Sequence, residues 1–165
     1  MFNLKKLAFG AALLAASAVC FAAPKVEIVT SEGNIVVNLN EKAAPTTVAN
    51  FVKYANEGFY NGTIFHRVIN NFMIQGGGFD RNLHQKSTHA PIKLEDKNGL
   101  KNTVGTIAMA RTNNPDSATS QFFINLKDND FLNGTSTKDG YAVFGEVVSG
   151  MDVVRKLGRA PPGSK

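Results

Sequence analysis

The chain has 165 residues, and its 18 basic and 13 acidic side chains give a formal net charge of +5. The basic residues are spread along the sequence and are not interleaved with aromatic residues, so the charge pattern argues against a nucleic-acid-binding protein. We also find no repeat period or low-complexity tract, which excludes a solenoid or a fibrous chain.

Residues 1–22 have the pattern of a secretory signal peptide. Lys5 and Lys6 provide the positive start, and residues 7–21 form an uncharged run rich in Ala and Leu. This run is shorter than the ~20 residues that a membrane-spanning helix needs, so a retained anchor is disfavoured. We predict cleavage after Ala22, which would deliver a periplasmic protein without a membrane attachment.

Cys20, the only cysteine, leaves a second way of processing this segment open. It could be acylated as in a lipoprotein, although Ser17 and Val19 fit such a signal poorly. If residues 1–22 are removed, the mature protein has no thiol, no disulfide and no cysteine metal site.

The remaining residues, 23–165, have the length of one domain that buries an apolar core. They open with the strand-like runs KVEIVT and IVVNL, and the turn-forming residues 31–34 between them predict a hairpin. Pro45 suits the first turn of a helix, which we expect to end near Gly58. An apolar stripe at helical spacing supports this helix: Val48, Phe51, Val52 and Ala55.

Further short apolar runs follow, separated by Asn, Gly, Asp, Pro and Ser: FHRVI, FMIQG, TIAMA, QFFIN and YAVFGEVV. These runs predict strands, and GMDVVRKL predicts a second short helix that ends at Gly158. An antiparallel β-barrel with two helices fits this order best, because closure removes exposed sheet edges.

Most isolated candidates for chemistry are weak. His84 and His89 lack the helical spacing of a metal pair, so no metal site is predicted. Ser117 and Ser120 lie outside a nucleophile elbow and have no histidine nearby in sequence, which disfavours a serine hydrolase. The glycine run 76–78 lacks the residues of a phosphate loop and is interpreted as a turn.

Two segments, 65–79 and 106–125, combine two Arg, two Gln, two Met and several aromatic residues on or beside strand-like runs. The asparagines at 70 and 71 predict a turn between the two runs of the first segment. Such a surface suits an extended peptide that carries an apolar residue.

The blocks FHRVI..FMIQGGGF and MA......SQFFI, followed by FL........YAVFG, resemble the signature blocks of the cyclophilin family in order and spacing. The pattern is most similar to bacterial periplasmic cyclophilins. The resemblance implies an eight-stranded antiparallel barrel capped by two α-helices, with a substrate groove on its outside. It also implies a cofactor-free peptidyl-prolyl cis-trans isomerase that works without covalent chemistry on proline-containing peptides and unfolded exported proteins.

By position, the resemblance assigns catalytic roles to Arg67 and Gln75. It assigns the substrate-binding surface to the remaining matched residues, which are Phe72, Met73, Ala110, Arg111, Gln121, Phe123, Phe131, Leu132 and Tyr141. A non-catalytic peptide-binding or chaperone module is the alternative, but the intact Arg67 argues against it. A monomer is the default expectation.

The chain departs from many family members at three places. Phe131 and Tyr141 stand where eukaryotic members carry Trp and His, and Phe131 lacks an indole N–H donor, so we predict weak cyclosporin binding. The sequence ends at Lys165, where family members continue into a last strand. We therefore expect the closing strand to be absent and residues 26–29 to lose a ladder partner.

Overall fold

The computed structural model of the chain describes residues 23–159. The predicted signal peptide, Cys20 and the tail 160–165 lie outside the described residues. The elements, in chain order, are β1 (Lys25–Thr30), β2 (Gly33–Leu39), α1 (Pro45–Asn56), β3 (Arg67–Ile69), β4 (Met73–Gly76), β5 (Thr106–Met109), β6 (Phe122–Asn125), a 3-10 turn (Asp130–Leu132), β7 (Val143–Ser149) and α2 (Met151–Gly158). Within residues 23–159, no helix combines the length and apolar character needed to cross a membrane.

The described strands form one antiparallel sheet of seven, in the order β1-β2-β7-β5-β6-β4-β3. Irregular pairing at Val36/Val37 and Ile107/Ala108 bends the sheet, and it curls into a half-barrel. The predicted mainly-β fold with two helices is confirmed. Within residues 23–159, β1 and β3 are the edge strands of this sheet.

The first hairpin forms as predicted but with a shorter turn. Thr30 pairs with Gly33, so only Ser31 and Glu32 connect the strands rather than residues 31–34. Gly33 has a φ of +133°, and a Cβ there would lie 2.8 Å from a methyl group of Val153 on α2. The turn is therefore tight because glycine permits both this backbone conformation and the close approach of the helix.

The inner face of the half-barrel is filled by α1 and the sheet. Val48 and Phe51 of the predicted stripe are buried, and the Phe51 ring lies 5.4 Å from Phe122 and 5.2 Å from Phe144, measured between centroids. Tyr54, which lies outside the predicted stripe, is also fully buried. These contacts pack α1 into the larger cluster of buried residues, which we call the main core; its members include Ile35, Val37, Val48, Phe51, Ile107, Phe122, Ile124, Phe144 and Val154.

The strands at the centre of the sheet are buried on both faces. Ile124 of β6 faces the main core, whereas Phe123 faces the opposite side, because successive strand residues alternate. A second, smaller cluster covers Phe123, and we call it the outer cluster; its buried members are Met73, Ala108, Phe123, Leu132 and Val143.

Candidate active site on the outer face of the sheet

The hairpin β3–β4 carries the charged side of the site. The predicted turn is present, with Asn71 at a φ of +60° and the Phe72 N–H donating to the Ile69 carbonyl at 3.0 Å. Ile69 pairs with Met73, so three residues connect the strands and Arg67 stands directly opposite Gln75. The Arg67 side chain is thereby presented to solvent on an edge strand.

A chain of side-chain hydrogen bonds links Arg67 on β3, through Gln75 on β4, to Gln121, which immediately precedes β6. Arg67 Nη1 donates to Gln75 Oε1 at 3.2 Å, and Gln75 Nε2 donates to Gln121 Oε1 at 2.9 Å. A Cβ at Gly78 would lie 2.5 Å from Gln121 Cγ, so glycine at this position makes room for the Gln121 side chain. Gly78 of the glycine run thus shapes the site.

An apolar surface lies beside this polar chain, and we call it the pocket. Phe123 pairs with Gln75 across β4 and β6 and so emerges on the same face of the sheet. The pocket is the exposed side of the outer cluster, whose partly buried members are Phe72, Leu100, Ala110 and Tyr141. Phe131 stacks on Phe72 with ring centroids 5.6 Å apart and remains 62% exposed, so it forms the rim.

Arg111 and Tyr141 form the opposite wall. The Tyr141 ring packs edge-on against Phe123 at 5.7 Å, and Arg111 Cζ lies 4.5 Å above the Tyr141 ring. Arg111 Nε and Nη2 both donate to the Gly140 carbonyl, at 3.1 and 2.8 Å. The Ala110 N–H donates to the Gln121 carbonyl at 3.0 Å, which joins this wall to the polar chain.

The structure therefore brings all eleven predicted site residues into one continuous surface. Their individual roles stay predictions, because the resemblance supplied them.

The surface is cationic. Among residues 23–159, neither the Arg67 nor the Arg111 guanidinium has a carboxylate within 4.0 Å.

Burial lowers the pKa of His66, and the neighbouring Arg67 lowers it further. His66 packs on Phe79 at 4.4 Å between centroids, and its buried Nδ1 has no hydrogen-bond partner in the described part of the chain. The lowered pKa favours the neutral form of the His66 ring, which packs beside the strand that carries Arg67.

The serines weighed as nucleophiles have structural partners. Ser117 Oγ donates to the Asn114 carbonyl at 2.6 Å, and the buried Ser120 Oγ donates to the Gly77 carbonyl at 2.8 Å. His89 Nε2 lies 2.7 Å from Glu57 Oε1 on the surface. Within residues 23–159, no three His, Cys, Asp or Glu side chains are grouped to hold a metal ion.

Sequence reasoning missed a set of buried asparagines behind the pocket, Asn102, Asn125 and Asn129. One signal was available, because Asn125 follows Phe123 by two residues in QFFIN and so lies on the same face of the strand. No local pattern indicates that Asn102, far earlier in the chain, reaches Asn125.

An antiparallel half-barrel with an apolar pocket, an exposed guanidinium and amide side chains on its outer face has the features of a surface that binds an extended peptide. Residues 25–165 match the family "Cyclophilin type peptidyl-prolyl cis-trans isomerase/CLD". The chain belongs to this family.

Relatives and a solved structure agree with this assignment. The chain is 58% identical to a peptidyl-prolyl cis-trans isomerase of Acinetobacter baylyi, over 96% of this chain and 84% of that protein. It is 63% identical to peptidyl-prolyl cis-trans isomerase B of Escherichia coli, over 78% of this chain and 80% of that protein. A crystal structure of a Cryptosporidium parvum cyclophilin type isomerase, determined in the presence of the dipeptide Ala-Pro, superposes with a TM-score of 0.71 at 28% identity, covering 84% and 87% of the two chains.

Proposed function

We propose that this protein accelerates cis-trans isomerisation of X-Pro peptide bonds in exported, incompletely folded proteins of the periplasm. The observation that carries the proposal is the Arg67 guanidinium held beside the apolar pocket of Phe123 by the chain through Gln75. Membership of the isomerase family and the relatives' names support the reaction. Residues 1–22 support the exported setting.

The chemical task is the rotation of an amide. An X-Pro bond has lost most of its preference for trans, yet rotation still crosses a barrier of about 18 to 20 kcal/mol because it breaks amide resonance. As conjugation is lost, the prolyl nitrogen becomes pyramidal and gains a lone pair. A donor aimed at that nitrogen therefore stabilises the twisted amide more than either planar form.

Arg67 is the group that can act in this way. Its guanidinium is exposed, is without a carboxylate partner in the described residues, and is tied only to Gln75 through a hydrogen bond of 3.2 Å. It can therefore turn toward a peptide without breaking an ion pair.

The remaining contribution comes from holding the peptide on either side of the rotating bond. The pocket around Phe123 takes the proline ring, while Gln75, Gln121 and the backbone near Arg111 hold the flanking residues. One side of the bond then turns against a fixed other side. Water exclusion in the pocket also strengthens the field of the guanidinium.

The decisive experiment measures exchange between the cis and trans forms of a labelled peptide with one Ala-Pro bond, by two-dimensional NMR, with and without residues 23–165. We expect catalytic amounts of protein to bring exchange into the observable range. Binding of the peptide without faster exchange would instead identify the non-catalytic module.

The exported setting requires a separate test. The full chain is expressed in a Gram-negative bacterium, and the intact mass of the protein released by osmotic shock is determined. We expect a protein that begins at Ala23. A protein that keeps residues 1–22 and stays in the cytoplasm would contradict export. A mature protein with a diacylated Cys20 would instead be a lipoprotein.

A further inference from the structure

The walls of the pocket come from segments that are far apart in sequence, and apolar contact alone does not fix their spacing. Phe72 lies in the turn after β3, Leu132 in the 3-10 turn, and Tyr141 before β7. Phe72 and Tyr141 are only partly buried. Apolar contacts are non-directional, so something else must set the distances between these walls.

Three buried asparagines connect the walls from behind. Asn102, Asn125 and Asn129 are 1%, 0% and 1% exposed, respectively. Asn129 Nδ2 donates to Asn125 Oδ1 at 2.8 Å, and Asn125 Nδ2 donates to Asn102 Oδ1 at 3.0 Å. Asn125 is paired with Met73 in the sheet, which places this chain of amides directly beneath the pocket.

The ends of the amide chain hold the backbone of the pocket residues. At one end, Asn129 Nδ2 also donates to the Phe72 carbonyl at 3.0 Å. At the other end, Asn102 Nδ2 donates to Asn133 Oδ1 at 3.1 Å, beside Leu132, and also lies 3.3 Å from both the Leu132 and the Tyr141 carbonyls. One continuous set of directional bonds therefore spans the pocket from wall to wall.

Backbone hydrogen bonds join the same segments of the chain. The Asn129 N–H donates to the Asn102 carbonyl at 2.8 Å, the Leu132 N–H to the Asn129 carbonyl at 2.9 Å, and the Tyr141 N–H to the Leu132 carbonyl at 2.9 Å. Hydrogen bonds in a buried network are stronger than the same bonds in water because the local dielectric is low, and this network lies directly behind the pocket.

We infer that Asn102, Asn125 and Asn129 are positioning residues for the isomerisation: they hold Phe72 at a fixed separation from Leu132 and Tyr141, so that the proline ring is aligned with Arg67. This inference rests on the proposed function. None of the three asparagines touches the peptide. Their effect is on the orientation of the bound ring, and therefore on kcat more than on KM, because the apolar surface that binds the ring is unchanged.

Asn129 offers the sharpest test. Its Oδ1 is buried without a partner among the described residues, so the side chain acts through its two donated bonds. Asn129→Leu keeps a similar shape and removes both donors. The Phe72 carbonyl still accepts the Leu126 N–H at 2.9 Å, which limits the damage to folding. Asn129→Ser is a milder variant that retains a hydroxyl.

The control variant is Val154→Ala, which removes buried methyl groups from the main core without touching the outer cluster. It destabilises the fold without altering the amide chain. All variants are compared by NMR exchange over a range of peptide concentrations, at a temperature where near-UV circular dichroism shows each to be folded.

We expect Asn129→Leu to lower kcat about tenfold with KM changed by less than about threefold, a smaller effect than the roughly hundredfold of a 1 Å misplacement. Asn129→Ser should fall between it and the wild type, and Val154→Ala should keep the wild-type kcat. A kcat no lower than that of Val154→Ala, or a change confined to KM, would overturn the inference. If the wild type itself fails to accelerate exchange, the proposed function fails instead, which is a different result.

Discussion

Replacement of Arg67 by alanine is the most direct test of the mechanism. A hydrogen bond that involves a charged group contributes about 1.5 to 3 kcal/mol, and each tenfold of rate corresponds to about 1.4 kcal/mol. If the guanidinium acts on the twisted amide, Arg67→Ala should lower kcat/KM by roughly ten- to hundredfold. Gln75 keeps its bond to Gln121, so the rest of the polar chain stays in place.

The fold should tolerate this change. Arg67 is exposed on an edge strand, and surface substitutions of this kind usually alter stability by about 0.5 kcal/mol or less. The matched control is Arg155→Ala, an exposed arginine on α2 outside the site. Arg67→Lys keeps the charge but loses the planar fork, so we expect an intermediate rate.

The assay is NMR exchange on the Ala-Pro peptide, together with urea unfolding of each variant. An Arg67→Ala protein with kcat/KM within about twofold of the Arg155→Ala control would refute the electrostatic mechanism, since the expected loss is at least about tenfold. An equal loss in both variants would point to the fold and not to the guanidinium.

Three further predictions follow from the geometry. Gly78→Ala should push the Gln121 side chain away from Gln75 and lower kcat/KM about tenfold in the same exchange assay, and an unchanged kcat/KM would contradict this role of the glycine. The lowered pKa of His66 means that the unfolded chain binds a proton more readily than the folded one; this part of the stability is therefore present above about pH 6.5 and is lost as the pH falls. Urea unfolding at about pH 7.5 and about pH 5.5 should consequently show a smaller pH-dependent loss in His66→Phe than in the wild type, and equal losses would contradict it. Phe131→Trp should bind cyclosporin more tightly than the wild type in calorimetry because it restores an indole N–H, and a low-nanomolar complex of the wild type would show that this donor is not required.

The hairpin β3–β4 was predictable from the sequence, but the register in which its two strands pair was not. The adjacent asparagines correctly predict a turn between β3 and β4. They do not fix its length, and a connection of two residues instead of three would slip the pairing by one and place Arg67 opposite Ile74. Such a slip exchanges the two faces of a strand, so the partnership of Arg67 with Gln75 depends on the turn geometry of Asn71.

The pocket could not be separated from the core by pattern alone. Phe122 and Phe123 are both 4% exposed, yet the first belongs to the main core and the second to the outer cluster. Hydrophobic periodicity fails here because β6 is buried on both faces, and only the resemblance distinguished the two residues. The network of asparagines beneath the pocket could not be predicted either, because the contact between Asn102 and Asn125 joins distant parts of the chain.

The burial of the site residues and their proposed roles together predict how substitutions in this protein should be interpreted. Phe123 and Leu132, the proposed binding residues, are also buried, so truncating either removes apolar burial and opens a cavity. Lost activity then cannot be distinguished from lost folding without a stability measurement. Arg67 and Gln75 lie on the edge hairpin and are half-buried or exposed, so their loss changes the rate with little cost to the fold. The buried amides stand between these two classes, since they contribute to folding and also determine where the pocket walls stand. A loss of rate that exceeds the loss of stability is therefore the signature that separates positioning by Asn129 from ordinary packing.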